Sequence, residues 1–311
     1  MIEIYDKHTY LSGATKFVKV PWGSFIEFPG GELHCSIKNL PAECHILARI
    51  RSWQDMGELL TITNAIKNAH KTMDQPTELH LFIPYFPGAR QDRIANWGEP
   101  FTLKMYADLI NAQGYDSVTI VDPHSDTCTA LIDNVKVFDI APILRNLVDK
   151  EGYDTIIIPD AGAAKKTFSY YFPDTTGLTF VQCLKKRNTE TGKLSGFQVA
   201  GYSPIGNGAK CLLVDDICDG GGTFIGLADE ISEENSEFRK NNPGLHHIEK
   251  LSLFVTHGIF SKGIGCLDVF DNVYTTDSFY TKQEYNEQYP GIEAQPSYLS
   301  IIHEFFHVYY R

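Results

Sequence analysis

Lys210–Thr223 reads KCLLVDDICDGGGT. Cys211–Val214 form a short apolar run, the length and composition of a buried strand. Asp215 and Asp216 stand at the strand's predicted carboxyl end. Asp219, Gly220, Gly221, Gly222 and Thr223 then make a turn predicted to open a helix. Consecutive glycines let backbone N–H groups approach an anion closely. The following helix N-terminus adds free donors and a favourable dipole. Thr223 can donate its hydroxyl to a phosphate or cap the helix. Asp215 and Asp216 suit hydrogen bonds from sugar hydroxyls, at the strand end where open α/β sheets bind ligands. The plain alternative is a strand, a turn and a helix with solvated aspartates. A glycine turn alone is common, so the weight lies in the whole string.

Outward from this stretch the chain repeats the same step. Apolar, β-branched runs predict strands at Cys44–Ile50, Glu78–Pro84, Ser117–Val121, Thr155–Pro159, Gly177–Cys183, Lys210–Val214 and Lys250–Val255. Three- and four-residue apolar spacing predicts helices at Met56–Ala69, Thr102–Ala112, Ala141–Lys150, Ala163–Phe172 and Thr223–Ile231. This alternation is the pattern of α/β architecture with parallel sheets flanked by helices. A boundary near Asp139–Ala141 divides the chain into two domains, 1–140 and 141–290. Polar, turn-rich Glu233–Gly244 (EENSEFRKNNPG) reads as an exposed loop. Residues 291–311, rich in aromatics, read as a tail packing on a domain or a subunit.

A chain of 311 residues exceeds the size at which one core usually suffices, which also favours two domains. With 43% hydrophobic and 21% charged residues it is an ordinary globular chain rather than a disordered one. No apolar stretch approaches the roughly 20 residues of a membrane helix, and the start lacks a signal-peptide pattern. No membrane partner and a cytoplasmic location are the expectations. Cys35, Cys44, Cys128, Cys183, Cys211, Cys218 and Cys266 are odd in number and contain no CxxC pair. They therefore suggest neither a disulfide framework nor a zinc site. A net charge of −12 repels nucleic acid. A phosphorylated ligand must then be held by local cations or a metal ion.

A second signal is Pro84–Arg93, PYFPGARQDR, just after a predicted strand. Arg90 and Arg93 offer guanidinium forks to polyphosphate oxygens, and Gln91 can read a base or ribose edge. The competing reading is an arginine–aspartate pair through Asp92 that caps the loop. No GxxxxGK[ST] Walker loop is present.

PYFPGARQDR closely resembles the ATP loop of the ribose-phosphate diphosphokinases, the phosphoribosyl diphosphate synthetases, and DD–DGGGT resembles the phosphoribosyl-diphosphate loop of type I phosphoribosyltransferases. The resemblance extends in order along most of the chain. Phe28–Glu32 (FPGGE) resembles the family's FxDGE segment, and Trp53–Leu60 (WQDMGELL) the opening of its second helix. Asp122–His124 (DPH) resembles DLH, Pro159–Lys166 (PDAGAAKK) resembles PDAGGAKR, Lys185–Arg187 (KKR) resembles KxR, and Thr256–Ser261 (THGIFS) a late segment. The fold implied is two tandem type I phosphoribosyltransferase-like domains with the site in their cleft. ATP would be bound by Phe28, Glu32, Arg90, Gln91, Asp92 and His124. Magnesium would be held by His124 and Asp160. Lys185 and Arg187 would be the catalytic cations of a flap. Asp215, Asp216, Asp219, Gly220, Gly221, Gly222 and Thr223 would receive the ribose phosphate. Each has a plainer reading: His124 as a loop histidine, Asp160 as a helix cap, the KKR run as a solvated face.

By resemblance the activity is Mg-dependent transfer of the β,γ-diphosphate of ATP to the C1 hydroxyl of ribose 5-phosphate, releasing AMP. A homo-oligomer is also implied, dimer-based and up to a hexamer, because FxDGE usually serves a neighbour's adenine. Three departures stand out: Gly30 for Asp or Asn, Gly98 for a frequent arginine, and DGGGT for the usual DTCGT. Losing the threonine hydroxyl at Gly220 weakens the grip on a 5-phosphate by about 1–3 kcal/mol and makes room. That suits an esterified phosphate, as in ADP-ribose, the acceptor of a phage-associated branch concerned with NAD reconstitution. A phosphoribosyltransferase would have no reason to carry PYFPGARQDR. A non-catalytic regulatory homologue would often lack the cations and metal ligands present here.

Overall fold

A computed structural model describes residues 1–9, 15–76, 78–187, 194–200, 208–244, 248–289 and 296–301. The chain divides into two compact units. Unit 1 is Met1–Phe138 with Ser300 and Ile301, and unit 2 is Asp139–Leu299.

Unit 1 runs β1 (Ile2–Thr9), β2 (Thr15–Val20), β3 (Gly23–Glu27), β4 (Leu33–Ile37), β5 (Glu43–Ala48), α1 (Trp53–Thr72), β6 (Glu78–Ile83), α2 (Thr102–Asn111), β7 (Ser117–Val121), α3 (Asp126–Leu131) and β8 (Val135–Phe138). Its six-stranded sheet has the order β2-β1-β5-β6-β7-β8, and β3 pairs with β4 in a separate two-stranded sheet. β5 through β8 are parallel, whereas β1 is antiparallel to both its neighbours. Helix α1 starts where the Ser52 side chain accepts the Asp55 N–H at 3.1 Å. It buries Met56, Leu59, Ile62, Thr63, Ile66 and His70, a stripe at helical spacing. Of these, Met56, Leu59, Ile62 and Ile66 join Ile4, Ile46, Leu81, Ile83 and Ile120 in one core. Truncating fully buried Leu59 to alanine would cost about 2–5 kcal/mol.

Unit 2 continues with α4 (Ala141–Glu151), β9 (Thr155–Ile158), α5 (Ala161–Lys166), β10 (Thr179–Arg187), β11 (Leu194–Ala200), β12 (Ala209–Cys218), α6 (Gly222–Asn241), β13 (Ile248–Gly258), β14 (Asn272–Thr276), α7 (Lys282–Gln288) and β15 (Ser297–Leu299). The order is β11-β10-β9-β12-β13-β14-β15, with every pairing parallel except β10 with β11. β12 lies inside this sheet, and Cys211–Val214 are fully buried. That is why its sequence is continuously apolar rather than alternating.

Several boundaries differ from those read in the sequence. Glu233–Asn241 is not a loop: α6 continues through it to Asn241. Its last fully buried apolar residue is Ile231, and the turns beyond are polar because they are largely exposed. Pro243 and Gly244 mark the true stop. β12 runs four residues past Val214, so Asp215 and Asp216 lie within a paired strand rather than after it; Asp215 sits opposite Val255 of β13. The helix expected at Ala163–Phe172 begins at Ala161 and passes into one turn of π-helix at Thr167–Tyr171. Within the expected aromatic tail, Ser297–Leu299 is an edge strand of the unit 2 sheet; residues 291–295 and 302–311 lie outside the described residues.

Candidate functional site

The glycine turn of unit 2 is shaped by its backbone. Gly221 has φ +75° and occupies the N-cap position of α6, so Thr223 does not cap the helix. A Cβ on Gly221 would stand 2.9 Å from a Leu267 methyl, in a conformation that side chains resist. The turn is tied to the loop after β13. Cys218 O accepts the N–H groups of Ile259 (2.9 Å) and Phe260 (3.1 Å), and Asp219 O accepts that of Ser261 (3.2 Å). This clamp brings Lys262 to Gly220: a Cβ there would meet Lys262 Cε at 3.4 Å and Nζ at 3.8 Å. A cation therefore flanks a glycine turn that opens a helix, the arrangement of an anion cradle.

Carboxylates crowd beside it. Lys166 Nζ donates to Asp216 Oδ2 at 2.7 Å, a pair largely removed from solvent. The Asp216 N–H donates to Asp215 Oδ1 at 2.9 Å. Burial pushes the Asp215 carboxyl up to about 8; Asp216 and then Asp160 add to the rise, and Lys166 opposes it. Asp160 does cap α5, accepting the Ala163 N–H at 2.9 Å. Its charge nonetheless reaches Asp215, so the capping and ligand readings are compatible. The donor set is all oxygen and its charges repel, which fits a hard divalent cation such as magnesium: one bound there would relieve the repulsion.

Lys185 and Arg187 lie on β10 opposite Phe197 and Leu194 of β11, with a bulge between Lys186 and Arg187. β10 pairs with β9 only as far as Gln182–Ile158, so both positions fall beyond the strand end that leads into Asp160. Their side chains, and residues 188–193, lie outside the described residues.

In unit 1 the predicted ATP residues follow the carboxyl ends of adjacent parallel strands. The Pro84–Arg93 loop leaves β6 and Asp122–His124 leaves β7, with Ile83 opposite Ile120. Gly88, φ +72°, lets the loop touch α2, where an added Cβ would sit 3.2 Å from Leu103 N. Arg90, Gln91 and His124 are exposed, and buried Asp122 has φ +44°. Asp92 does pair with an arginine: Arg93 Nε lies 3.7 Å from its Oδ1. Phe28 and Glu32 are on a different element, the turn joining β3 to β4, where Phe28 N–H donates to Glu32 O at 2.9 Å. Phe28 is 49% exposed, an available stacking face. A Cβ on Gly30 would meet the Glu32 carboxylate at 2.5 Å, so glycine here lets Glu32 fold over the turn. Gly98 has φ +87°, a conformation that an arginine would adopt only under strain.

Lys166 and Lys262 were given no role by the sequence reading. Both sit within strings it singled out or directly beyond one, PDAGAAKK and THGIFSK, but only the fold pairs the first with Asp216 and sets the second beside Gly220.

Unit 2 is an open, mainly parallel α/β sheet with a glycine turn and an aspartate cluster toward the carboxyl ends of its strands, where sheets of this kind bind ligands. No protein-family profile matches the chain. Two ribose-phosphate pyrophosphokinases are similar to it. That of Hyphomonas neptunium is 29% identical over 212 residues, 67% of this chain and 61% of the relative. That of Marinomonas sp. is 29% identical over 241 residues, 74% and 68% respectively. The chain thus spans somewhat under two thirds of the first relative's length. The crystal structure of phosphoribosylpyrophosphate synthetase from Mycobacterium smegmatis shares the fold, with TM-score 0.70 and 21% identity, covering 90% of this chain and 86% of that one. In sequence the chain is thus similar to ribose-phosphate pyrophosphokinases, and in fold to a phosphoribosylpyrophosphate synthetase. No helix among the described residues is long and apolar enough to cross a membrane.

Proposed function

We propose that the chain transfers the β,γ-diphosphate of ATP to the anomeric hydroxyl of ribose 5-phosphate, giving phosphoribosyl diphosphate and AMP. The observation that carries this reading is the Asp219–Thr223 turn of unit 2, flanked by Lys262 and the Asp215–Asp216 pair. In the reaction the C1 hydroxyl oxygen attacks the β-phosphorus, the bond from that phosphorus to the α-phosphate bridging oxygen breaks, and the hydroxyl proton leaves to solvent. Such a transfer needs positioning and charge neutralisation rather than a covalent intermediate.

Arg90, Gln91 and Asp92 hold the nucleotide, and in a homo-oligomer Phe28 and Glu32 receive the adenine of a nucleotide held by a neighbouring subunit. Asp215 and Asp216 orient the ribose hydroxyls, while backbone N–H groups of residues 220–223 and Lys262 take the 5-phosphate. Lys185 and Arg187 stabilise charge on the transferring group. Asp160 in unit 2 would hold magnesium, which when bound neutralises phosphate charge, and His124 in unit 1 contacts the nucleotide.

A second acceptor, ADP-ribose, is favoured by one feature. Gly220 leaves the cradle without a side chain, with Lys262 rather than a hydroxyl at its edge. An esterified 5-phosphate carries less charge and needs that space. The deciding experiment supplies ATP and magnesium with either ribose 5-phosphate or ADP-ribose, and follows AMP release and product mass. AMP with ribose 5-phosphate alone supports the main reading, and AMP chiefly with ADP-ribose the second. No AMP in either tube overturns both and leaves a regulatory homologue.

A further inference from the structure

Unit 1 carries a second cluster, at the opposite end of its sheet from the Pro84–Arg93 and Asp122–His124 loops. β5 opens with Glu43–Cys44–His45 and β6 with Glu78–Leu79–His80, two E-x-H tripeptides. The strands are parallel and in register, with Glu43 opposite Glu78 and His45 opposite His80. Residues two apart share a face, so the register sets two glutamates and two histidines in a square on one side of the sheet. His80 lies three residues before the end of β6, about 10 Å at ~3.3 Å per residue.

The side chains converge. His45 Nε2 is 2.7 Å and His80 Nε2 3.5 Å from Glu43 Oε1, and Glu78 Oε1 is 3.3 Å from His80 Nε2. One ligand atom from each of Glu43, His45 and His80 falls within 4.8 Å of the others. The two imidazoles stack with centroids 4.6 Å apart. His80 Nδ1 bonds Ser117 Oγ at 2.8 Å, leaving Nε2 turned to the cluster, and Phe17 packs edge-on against His45. Such outer contacts orient imidazole ligands in metal sites. His45 is 3% exposed, so its ring is held in place by the packing around it. His80 and Glu43 are partly open and Glu78 is exposed, which provides an entry path. Lys7 Nζ, 2.9 Å from Glu43 Oε1, is the charge an incoming ion would displace.

We propose that Glu43, His45 and His80, with Glu78 at the rim, bind a divalent transition-metal ion of the zinc class, separate from any magnesium that accompanies ATP. Imidazole nitrogen with carboxylate oxygen is a zinc donor set, whereas magnesium prefers oxygen alone. Metal bonds of 2.0–2.2 Å in a tetrahedron put ligand atoms about 3.3 Å apart. The Glu43–His80 and Glu78–His80 distances already match this, and Glu43–His45 needs to open slightly. The alternative is a hydrogen-bonded network that only ties β1, β5 and β6 together.

The test uses the full chain, stripped with a chelator and titrated with cobalt(II) as an optical probe for zinc. One equivalent should bind with the intense absorption of tetrahedral cobalt, be displaced by zinc(II), and persist in excess magnesium. E43Q and H80Q should each weaken binding at least about tenfold, and H124Q should leave it unchanged. Unaltered binding in both E43Q and H80Q, or no tetrahedral spectrum in the wild type, overturns the proposal. Melting curves without metal check that the variants fold. Should they not, long-range ¹H–¹⁵N spectra of the wild type decide. Zinc should shift the Nε2 resonances of His45 and His80, and unmoved resonances overturn the assignment.

Discussion

Asp215→Asn is expected to stabilise the protein at pH 8 while removing its activity. The Asp215 carboxyl rises from 3.8 to about 8 in the folded chain, chiefly through burial and then through Asp216. A raised acid holds its proton more tightly folded than unfolded. Its contribution to stability is therefore complete below 3.8 and is lost as pH climbs toward about 8. At ~1.4 kcal/mol per pH unit, the full rise corresponds to about 6 kcal/mol of penalty. Relaxation around the half-buried side chain and sharing of the proton with Asp216 reduce this to about 1–3 kcal/mol. Asparagine has the same shape and no charge, so it removes the penalty. The assay is urea unfolding of wild type and variant at several pH values, comparing midpoints at constant slope. The gain should be largest at pH 8, shrink steadily on acidification and vanish near pH 4. Magnesium should narrow it, because the wild-type carboxylates are then neutralised. A gain independent of pH, or a loss of stability at pH 8, would refute the account of the aspartate cluster.

Lys166→Met leaves the Asp216 carboxylate buried without its partner and should cost about 2–4 kcal/mol by thermal unfolding, with Asp216→Asn in the same chain recovering most of it. Lys262→Met should raise the KM for the phosphorylated acceptor roughly tenfold, the loss of about 1.4 kcal/mol, and leave the melting temperature unchanged because the side chain is exposed. Gly220→Thr meets the Lys262 side chain, Cε and Nζ included, at ordinary contact distance and should change stability by less than about 0.5 kcal/mol. Because it restores a hydroxyl donor, its kcat/KM ratio for ribose 5-phosphate over ADP-ribose should rise; a fall would count against the role given to Gly220.

The elements legible in the sequence were those whose signal is local. Cys211–Val214 announce a strand buried on both faces, and Gly220–Gly222 announce the turn that follows. Met56, Leu59, Ile62 and Ile66 return at helical spacing. Less legible were elements whose identity depends on distant partners. β1 (IEIYDKHT) mixes apolar and charged residues because it packs on one face only, and its pairing with β5 spans some forty residues of chain. The end of α6 looked like a loop because its exposed turns bury nothing. The same limit applies to the site. The loops are visible as strings, but Lys166 with Asp216 and Lys262 with Gly220 are contacts across the fold that spacing does not encode. The two E-x-H tripeptides are likewise unremarkable until register puts them side by side.

The clamp between the Cys218–Asp219 turn and the loop at Ile259–Ser261 bears on how the chain tolerates being rebuilt. Because β12 and β13 are paired along their length and their ends are laced together, the cradle is held from the strand side. The connection leaving α6 at Asn242–Gly244 has no part in that lacing. It is the place in unit 2 where a peptide tag or a small reporter domain could be spliced in while the ligand-facing turn keeps its shape. A fluorophore carried there would report on binding from outside the machinery it observes.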